Sequence, residues 1–495
     1  MTKFRTKHKA KQGQLRLALP SGKPVTVTFD GGAVCSDGGL LLLRKADERL
    51  GLSRTISKCL PDNRRPDLVT HTIESLLRQR IYGIAAGYED CNDANELRFD
   101  TMHRLAVGYE PSSSHLLGSQ PTLSRMEGSA TRESNALMQR SLVYLYSKTV
   151  KKRLKKICLS MDTTCDVAYG NQQLSCFNGY YGENCFAPLF IFTDDGFPLV
   201  SQLRAGSPHP GEDAIRMLKL LVKELRSYFP GVKLELKADA AFAHPELLTF
   251  LEQNNIIYYI GAIGHAGLAY HAEELISKCK KEFDSFGEIS PQLKKYAALA
   301  SQTDYFAKRN LKRAKRQHEE RVRYSSKAEG RMQELFEDSE LRIRKYGQFR
   351  YRAREWAEER RFIFRVEYTI NGPETRFILT NASGSHPRKI YDEKYCRRAQ
   401  CENWIKDLKT YLKSDRTSCQ EFEHNQFRLF LHVFAYILIW ETRTKANLPA
   451  MTVQTFQRTF LKIGVLIKEN SQAVKLHLTS HFVWKDFFEK AWMIT

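Results

Sequence analysis

The pattern of apolar and polar positions changes near residue 155. Before that point the chain reads mainly as helices, with apolar residues at helical spacing over 67–84 and again over 122–146. After it, short stretches alternate apolar and polar residues, a period typical of strands. We therefore predict a mainly helical N-terminal region followed by a mixed α/β layer fold.

The predicted elements after residue 155 are a strand, a hairpin, a helix, a strand, a helix and a strand, in that order. Their ranges are 157–164, 188–204 with a turn at Asp194-Asp195-Gly196, 211–228, 232–239, 244–254 and 256–260. Beyond them the sequence predicts a charged helix over 303–342, a hairpin over 361–380 with its turn at Asn371-Gly372-Pro373, and helices over 394–412 and 425–442.

Composition and charge narrow the class of protein. Hydrophobic residues make up 42% and aromatic residues 11%, which is typical of a folded chain. The net charge is +21, from 77 Lys and Arg against 56 Asp and Glu, and such an excess attracts polyanions. Nucleic acid is the favoured polyanion because phosphate contacts release counterions, and an anionic membrane surface is the alternative.

A membrane span and a disulfide framework are both disfavoured. The longest apolar stretch, 427–440, is shorter than the ~20 residues that a span needs and carries Arg428 and His432. We predict a buried core helix there and no membrane association. The eleven cysteines are scattered without a CxxC pair, and the basic arm over 1–16 has no apolar core. Both observations favour a reduced, cytoplasmic protein.

The most informative stretch carries Tyr395, Arg398, Glu402 and Lys409 at the spacing Y-x2-R-x3-E-x6-K. On an α-helix, at about 100° per residue, these side chains share a face about 60° wide beside an apolar flank. The carboxylate can hold a metal at a phosphate, and the two cations and the phenol can contact a DNA backbone. The alternative is a solvated helix face with an i,i+4 ion pair between Arg398 and Glu402.

Two aspartates stand at the ends of predicted strands, Asp162 and Asp239. Carboxylates at the ends of neighbouring strands, with a third from a helix, can bind two Mg²⁺ ions, which prefer oxygen ligands. Two such ions about 4 Å apart can activate a water or a 3′-hydroxyl and stabilise the leaving oxygen. Singly, each aspartate is more often a turn or cap residue, and Asp166 is a weaker alternative to Asp162.

At these residues the sequence resembles the insertion-sequence DDE transposases with the Y-R-E-K signature. The anchors are MDTT around Asp162, KADAAF around Asp239 and the full spacing that ends at Lys409. The resemblance implies an α/β fold with a ribonuclease-H-like mixed-sheet core. It implies Asp162, Asp239 and Glu402 as the catalytic ligands of two Mg²⁺ ions, for which Mn²⁺ can substitute. Tyr395, Arg398 and Lys409 would contact DNA.

The implied activity is cut-and-paste transposition: cleavage at the element's ends and strand transfer into target DNA. The implied partners are double-stranded DNA with terminal inverted repeats, target DNA and a second copy of the chain in a homodimeric synapse. The expected domains follow from this: a basic arm and mainly helical DNA-end-binding region, two parts of the catalytic core separated by a β-containing insertion, and a C-terminal helical region. Their ranges are 1–150, 151–263, 264–390 for the insertion, 391–445 and 446–495.

Members of this family often flip a base at the element's end onto an aromatic residue of the insertion. Trp356, between basic residues in YRAREWAEERR, is the candidate in this chain, and a core anchor of the insertion is the alternative. Two further readings of the whole chain stay open: a structure-specific nuclease on the same core, and a catalytically silent DNA-binding protein descended from a transposase.

Overall fold

The structure, a computed structural model, describes residues 30–150, 154–207, 210–287, 342–353, 356–369, 371–384, 386–448 and 450–494. The predicted basic arm over 1–16 lies outside these residues, and so does the predicted charged helix over 303–342 apart from its last residue. The described residues form two compact units. The first draws on the described residues within 30–138, 407–414 and 426–494, and the second on those within 139–406 and 415–425. These units differ from the five predicted ranges.

The α-helices of the described residues are listed here in chain order. They are α1 (Leu40–Leu50), α2 (Leu52–Ser57), α3 (Ile73–Ala85), α4 (Ala94–Leu97), α5 (Thr101–Val107), α6 (Gln120–Glu127), α7 (Arg132–Thr149), α8 (Pro210–Tyr228), α9 (Pro245–Gln253), α10 (Ala266–Ala269), α11 (Glu273–Gly287), α12 (Ala399–Lys406), α13 (Phe422–Lys445), α14 (Val453–Phe456) and α15 (Lys485–Ile494).

The strands follow in the same way. They are β1 (Val34–Cys35), β2 (Lys156–Thr163), β3 (Asp166–Val167), β4 (Cys176–Asn178), β5 (Glu183–Phe186), β6 (Leu189–Thr193), β7 (Pro198–Gln202), β8 (Lys233–Ala238), β9 (Ile257–Ala262), β10 (Ile343–Tyr351), β11 (Arg360–Thr369), β12 (Gly372–Thr380), β13 (Val465–Glu469) and β14 (Val474–Leu478).

Local capping decides where the N-terminal helices begin. The pattern over 67–84 corresponds to α3, which starts later because the Thr72 hydroxyl accepts a hydrogen bond from the Ser75 N–H at 3.1 Å. The pattern over 122–146 is not one helix but two, α6 and α7. The break follows Gly128, and Thr131 and Ser134 bond each other's backbone N–H at the start of α7.

The second unit is built on a mixed sheet, which has eight strands in the described chain in the order β10-β11-β12-β9-β8-β2-β6-β7. Strands β2, β8 and β9 run parallel to one another, and β6 and β7 continue from β2 as an antiparallel hairpin. The predicted mixed α/β layer is confirmed, and so are its strands and the hairpin turn at Asp194-Asp195-Gly196. A separate three-stranded sheet, in the order β3-β5-β4, belongs to the same unit.

The strands of the predicted insertion join this same sheet. The hairpin over 361–380 is present as β11 and β12, and β12 pairs antiparallel with β9 through Phe377–Ala262 to Thr380–Tyr259. The sequence did not predict β10, which pairs along its whole length with β11. The described part of 264–390 is therefore continuous with the core sheet, because backbone pairing with β9 completes an edge that would otherwise be open.

The first unit is organised around α13. Phe427 and residues 429–440 are buried, as predicted for this apolar stretch, although the helix extends to 24 residues. The region 446–495 was predicted to be helical, and this was wrong in part: β13 and β14 form a hairpin there, and β1 pairs with β13. Among the described residues, no helix combines the length and the apolar character that crossing a bilayer requires.

Candidate active site

Two aspartates stand side by side where neighbouring parallel strands end. In the register of β2 with β8, Met161 lies opposite Ala238, so that Asp162 and Asp239 are the next residues on adjacent strands. Adjacent strands lie about 4.8 Å apart, and the carboxyl ends of parallel strands form the usual crevice for ligands. Asp162 is buried and Asp239 is half-buried. Strand pairing thus brings together two of the three predicted carboxylates.

Arg398 connects the third carboxylate to this pair. Its Nη1 donates to Asp162 Oδ2 at 3.2 Å, and its Nη2 donates to Glu402 Oε1 at 3.0 Å. The i,i+4 ion pair of the alternative reading is therefore present, but the same guanidinium also reaches an aspartate that lies 236 positions earlier in the chain. The Glu402 side chain is 58% exposed, whereas that of Arg398 is 19% exposed.

The pKa values of the two aspartates reflect their burial and the nearby charges of Arg398 and Glu402. Burial raises the pKa of Asp162 to about 6; Arg398 opposes the rise, and the charges of Asp239 and Glu402 add to it. Burial also raises the pKa of Asp239. The charge of Arg398 lowers this pKa, and the charge of Glu402 raises it further. Three carboxylates thus share a single guanidinium. A group of this kind is stabilised by an additional cation.

The helical segment that carries these residues is not the regular α-helix predicted over 394–412. A π-helical turn covers Ile390–Tyr395, a 3₁₀ turn covers Cys396–Arg398, α12 is regular, and a second π-helical turn covers Asp407–Tyr411. Wide and tight turns rotate side chains by different amounts per residue, so the single 60° face does not apply along the whole stretch. Its buried flank is as predicted, with Cys401, Ile405, Leu408 and Leu412 all in the core.

Tyr395 packs inward more than the predicted polar stripe implies. It is half-buried, and its ring lies 5.5 Å from that of Tyr391, against the cluster of apolar side chains between the sheet and this segment. A Cβ atom added at Gly261 would lie 2.8 Å from the Tyr395 hydroxyl and 2.9 Å from the Ala240 nitrogen. Gly261 therefore leaves the space that the phenol occupies beside the backbone following Asp239, and no pattern in the sequence indicates this role.

Helix α12 is docked on the sheet at two points. The Cys401 thiol donates to the Ser160 carbonyl oxygen on β2 at 3.7 Å. The Trp404 ring lies 5.4 Å from that of Phe192 and covers Gly196 in the turn between β6 and β7. These contacts hold the helix that carries Glu402 against the strand that carries Asp162.

Gly196→Ala is expected to destabilise the second unit by about 2–3 kcal/mol. The residue has a φ of +87°, and a Cβ there would lie 2.8 Å from the Trp404 ring. The matched control is Gly231→Ala, at a φ of +74° with nothing within 4 Å of the added Cβ, which should cost only about 1 kcal/mol. Urea unfolding of the two variants measures the difference, and equal midpoints would contradict the docking role of Trp404.

The remaining predicted residues fall in varied surroundings. Lys409 belongs to the first unit, where it is half-buried on the turn Asp407–Tyr411, and its contact with DNA stays a prediction. Asp166, the alternative to Asp162, is fully buried on β3. Asp194 lies in the predicted turn and forms an ion pair with the buried Lys237 of β8.

Trp356 precedes β11 and is half-buried. Its ring stacks on that of Phe362 at 5.9 Å with an interplanar angle of 11°, and the Arg360 guanidinium lies over it at 4.9 Å. Arg360 in turn donates two hydrogen bonds to Glu252, both at 2.9 Å. These contacts suit the alternative role of a core anchor, and stacking on a DNA base stays a prediction.

The donor chemistry of the site suits a hard divalent cation. Asp162, Asp239 and Glu402 offer carboxylate oxygens, the ligands that Mg²⁺ prefers, and together they exceed the charge of Arg398 by two. Across the described ranges, no three acidic, histidine or cysteine side chains are grouped closely enough to hold a metal. Arg398 stands between Asp162 and Glu402, so metal binding would require its side chain to move.

Comparison with known proteins identifies the family of the chain. A family model described as "Transposase DDE domain group 1" matches residues 17–494, and no curated protein matches the chain. Among solved structures, the chain is similar to the piggyBac transposase in a cryo-EM synaptic complex with hairpin DNA. The identity is 9% and the TM-score 0.36, over 86% of this chain and 80% of that one. On the match to the family model, which spans nearly its whole length, the chain belongs to the DDE transposases.

Proposed function

We propose that this transposase cleaves DNA at the ends of its element and joins them to target DNA, with Asp162, Asp239 and Glu402 holding two Mg²⁺ ions. The observation that carries the proposal is that Arg398 bonds both Asp162 on β2 and Glu402 on α12, while Asp239 follows β8 next to Asp162 in the register of the sheet. The strand order β7-β6-β2-β8-β9, an antiparallel trio followed by two parallel strands, supports a ribonuclease-H-like core.

Different side chains of the protein are proposed to bind the metal ions and to hold the DNA. The two aspartates are fixed by strand pairing, which makes them a rigid pair of ligands, and Glu402 sits at the exposed rim where DNA can approach. When bound, the metal ions supply Lewis-acid stabilisation of the charge at the reacting phosphate. Arg398, once released from the acids, can hold a phosphate by two parallel hydrogen bonds.

Tyr395 and Lys409 are proposed to contact the DNA backbone, and Trp356 a base. The Tyr395 phenol is positioned by Gly261 next to the backbone after Asp239, where it can donate a hydrogen bond to a phosphate oxygen. Burial raises its pKa, Arg398 lowers it and Asp239 raises it further. The phenol therefore remains protonated and a donor at neutral pH.

The proposed reaction has two balanced steps. In the first, a water oxygen bonds to phosphorus at the element's end while the bond to the 3′-oxygen breaks, which leaves a 3′-hydroxyl. In the second, that 3′-oxygen bonds to a target phosphate and displaces the target's own 3′-oxygen. A homodimer with one catalytic centre for each DNA end would act on both ends of the element.

The proposal is tested by cleavage of labelled duplexes taken from the inverted repeats that flank the gene. The wild-type protein should nick the end in Mg²⁺ or Mn²⁺ and not in EDTA. Glu402→Gln should slow nicking by about 100-fold or more, since a metal contributes several kcal/mol to such a transition state. Glu393→Gln, the same charge change at an exposed site in the adjoining turn, is the matched control and should cut normally.

The rival functions give different outcomes in the same experiment. Nicking without capture of the cut ends in a supercoiled target plasmid would identify a nuclease. Tight DNA binding with no nicking in either metal would identify a catalytically silent protein. Full activity in Glu402→Gln would remove this residue from the catalytic set.

A further inference from the structure

The hairpin of β4 and β5 carries a concentration of exposed apolar side chains. Phe177, Tyr180 and Tyr181 lie within it, and Tyr169 and Leu174 lie in the segment between β3 and β4 that leads into it. Tyr180 at the tip is 89% exposed, and its ring meets that of Tyr181 at 4.9 Å with an angle of 84°. A ring this exposed has a free face, and its edge-to-face contact with a neighbour limits its rotation.

The tip is a fixed structure. The Asn178 side-chain oxygen accepts hydrogen bonds from the backbone N–H groups of Tyr180 at 3.0 Å and Tyr181 at 3.3 Å. Its side-chain nitrogen donates to the Gly206 carbonyl oxygen at 2.6 Å, and Gly182 closes the turn with a φ of +71°. Aromatic rings held out from a rigid turn lose little entropy on binding a ligand.

The hairpin is attached at the end of the sheet where the acids lie. Strand β5 leads directly into β6, whose Leu189 and Phe190 pair with Thr163 and Asp162. The small sheet therefore begins where β2 ends. This connection places the base of the hairpin beside the candidate active site.

We propose that this hairpin binds an unpaired nucleotide of the DNA end next to the scissile phosphate, with Tyr180 as the stacking ring and Tyr181 as the ring that supports it edge to face. The inference rests on the proposed function, because that function places DNA at the adjoining acids. Stacking on an aromatic ring contributes about 1–3 kcal/mol per base and tolerates any sequence.

The test is a binding measurement in EDTA, so that no cleavage occurs and the result does not depend on the catalytic assignment. The probes are a blunt duplex and the same duplex with an unpaired thymidine tail of about ten nucleotides that contains 2-aminopurine, a length within the range of single-strand grooves. Wild-type protein should bind the tailed probe more tightly and change the 2-aminopurine fluorescence. Tyr180→Ala should lose about 10-fold in affinity for the tailed probe and little for the blunt one.

Two further variants sharpen the result. Tyr180→Trp should restore tail binding, and Tyr270→Ala, which removes a tyrosine 71% exposed elsewhere in the same unit, should bind as wild type does. The proposal is overturned if Tyr180→Ala binds both probes normally, or if the wild type does not distinguish them. It is also overturned if Tyr180→Ala changes only the oligomeric state without DNA, which would make a second copy of the chain the occupant.

Discussion

Asp162→Asn is expected to slow DNA cleavage by about 1,000-fold or more while making the metal-free fold more stable at neutral pH. The loss follows from the proposed function, in which Asp162 is a buried metal ligand that strand pairing holds in place. The gain follows from the pKa of Asp162, which burial raises to about 6 and which Arg398 lowers only in part. Loss of activity together with a gain in stability separates a functional acid from a structural one.

The sign of the pH dependence follows from linkage. The pKa of Asp162 is about 6 in the folded chain and 3.8 as the ordinary value. Its contribution to stability is therefore complete below pH 4, and it is lost as the pH rises through 6. In the neutral range the ionised acid costs about 2–3 kcal/mol, and Asp162→Asn removes that cost.

The measurement is urea unfolding in EDTA between pH 4 and 8, with cleavage assayed in parallel. The stability gain of Asp162→Asn should be near zero at pH 4 and should reach its full size above pH 6. A variant less stable than wild type at pH 7 would contradict the electrostatic account. Asp166→Asn is the informative comparison, because loss of cleavage in that variant, with normal cleavage in Asp162→Asn, would transfer the role to Asp166.

Glu127→Ala should destabilise the first unit by about 3–5 kcal/mol. The Glu127 carboxylate accepts from Arg80 Nε at 2.7 Å and from Arg428 Nη1 at 3.2 Å, and its side chain is 4% exposed. Burial alone would raise its pKa, but the two arginines hold it below the ordinary value. Removal of the acid leaves the buried Arg80 and the half-buried Arg428 without this carboxylate between them, and the ion pair between α6 and α13 is lost.

The matched control is Glu48→Ala, which breaks an exposed i,i+4 pair with Arg44 in the same unit. Exposed pairs contribute about 0–1 kcal/mol, so this variant should unfold close to wild type. Chemical denaturation followed by tryptophan fluorescence and circular dichroism measures both variants. A similar small effect in each would mean that Glu127 does not act as the counter-ion of the buried arginines.

The local pattern of apolar and polar residues was sufficient to predict those elements whose structure depends on neighbouring residues in the chain. Alternation predicted β2 and β8, each with its aspartate at the end, and turn residues predicted the hairpins of β6–β7 and β11–β12. The apolar run over 427–440 predicted a buried helix. The assumption of a regular α-helix failed over 394–412, since hydrogen-bond partners at i+3 and i+5 leave no mark on apolar periodicity.

Contacts between segments that are distant in the sequence could not be predicted from such local patterns. The contact of Arg398 with Asp162 joins segments that only the register of the folded sheet brings together, and the role of Gly261 depends on a ring that arrives from a distant segment. The β-hairpin in 446–495 was missed because its strands are short. They pair partly with β1, near the other end of the chain.

The sequence by itself therefore determined the family and the mixed α/β class, because residue type and spacing carry that information, and it predicted the three acids. The tertiary structure decided which aspartate stands beside Asp239, how Arg398 connects Asp162 to Glu402, and where exposed tyrosines lie relative to them. These are matters of strand register and helix docking. They depend on contacts between residues hundreds of positions apart, which no local pattern encodes.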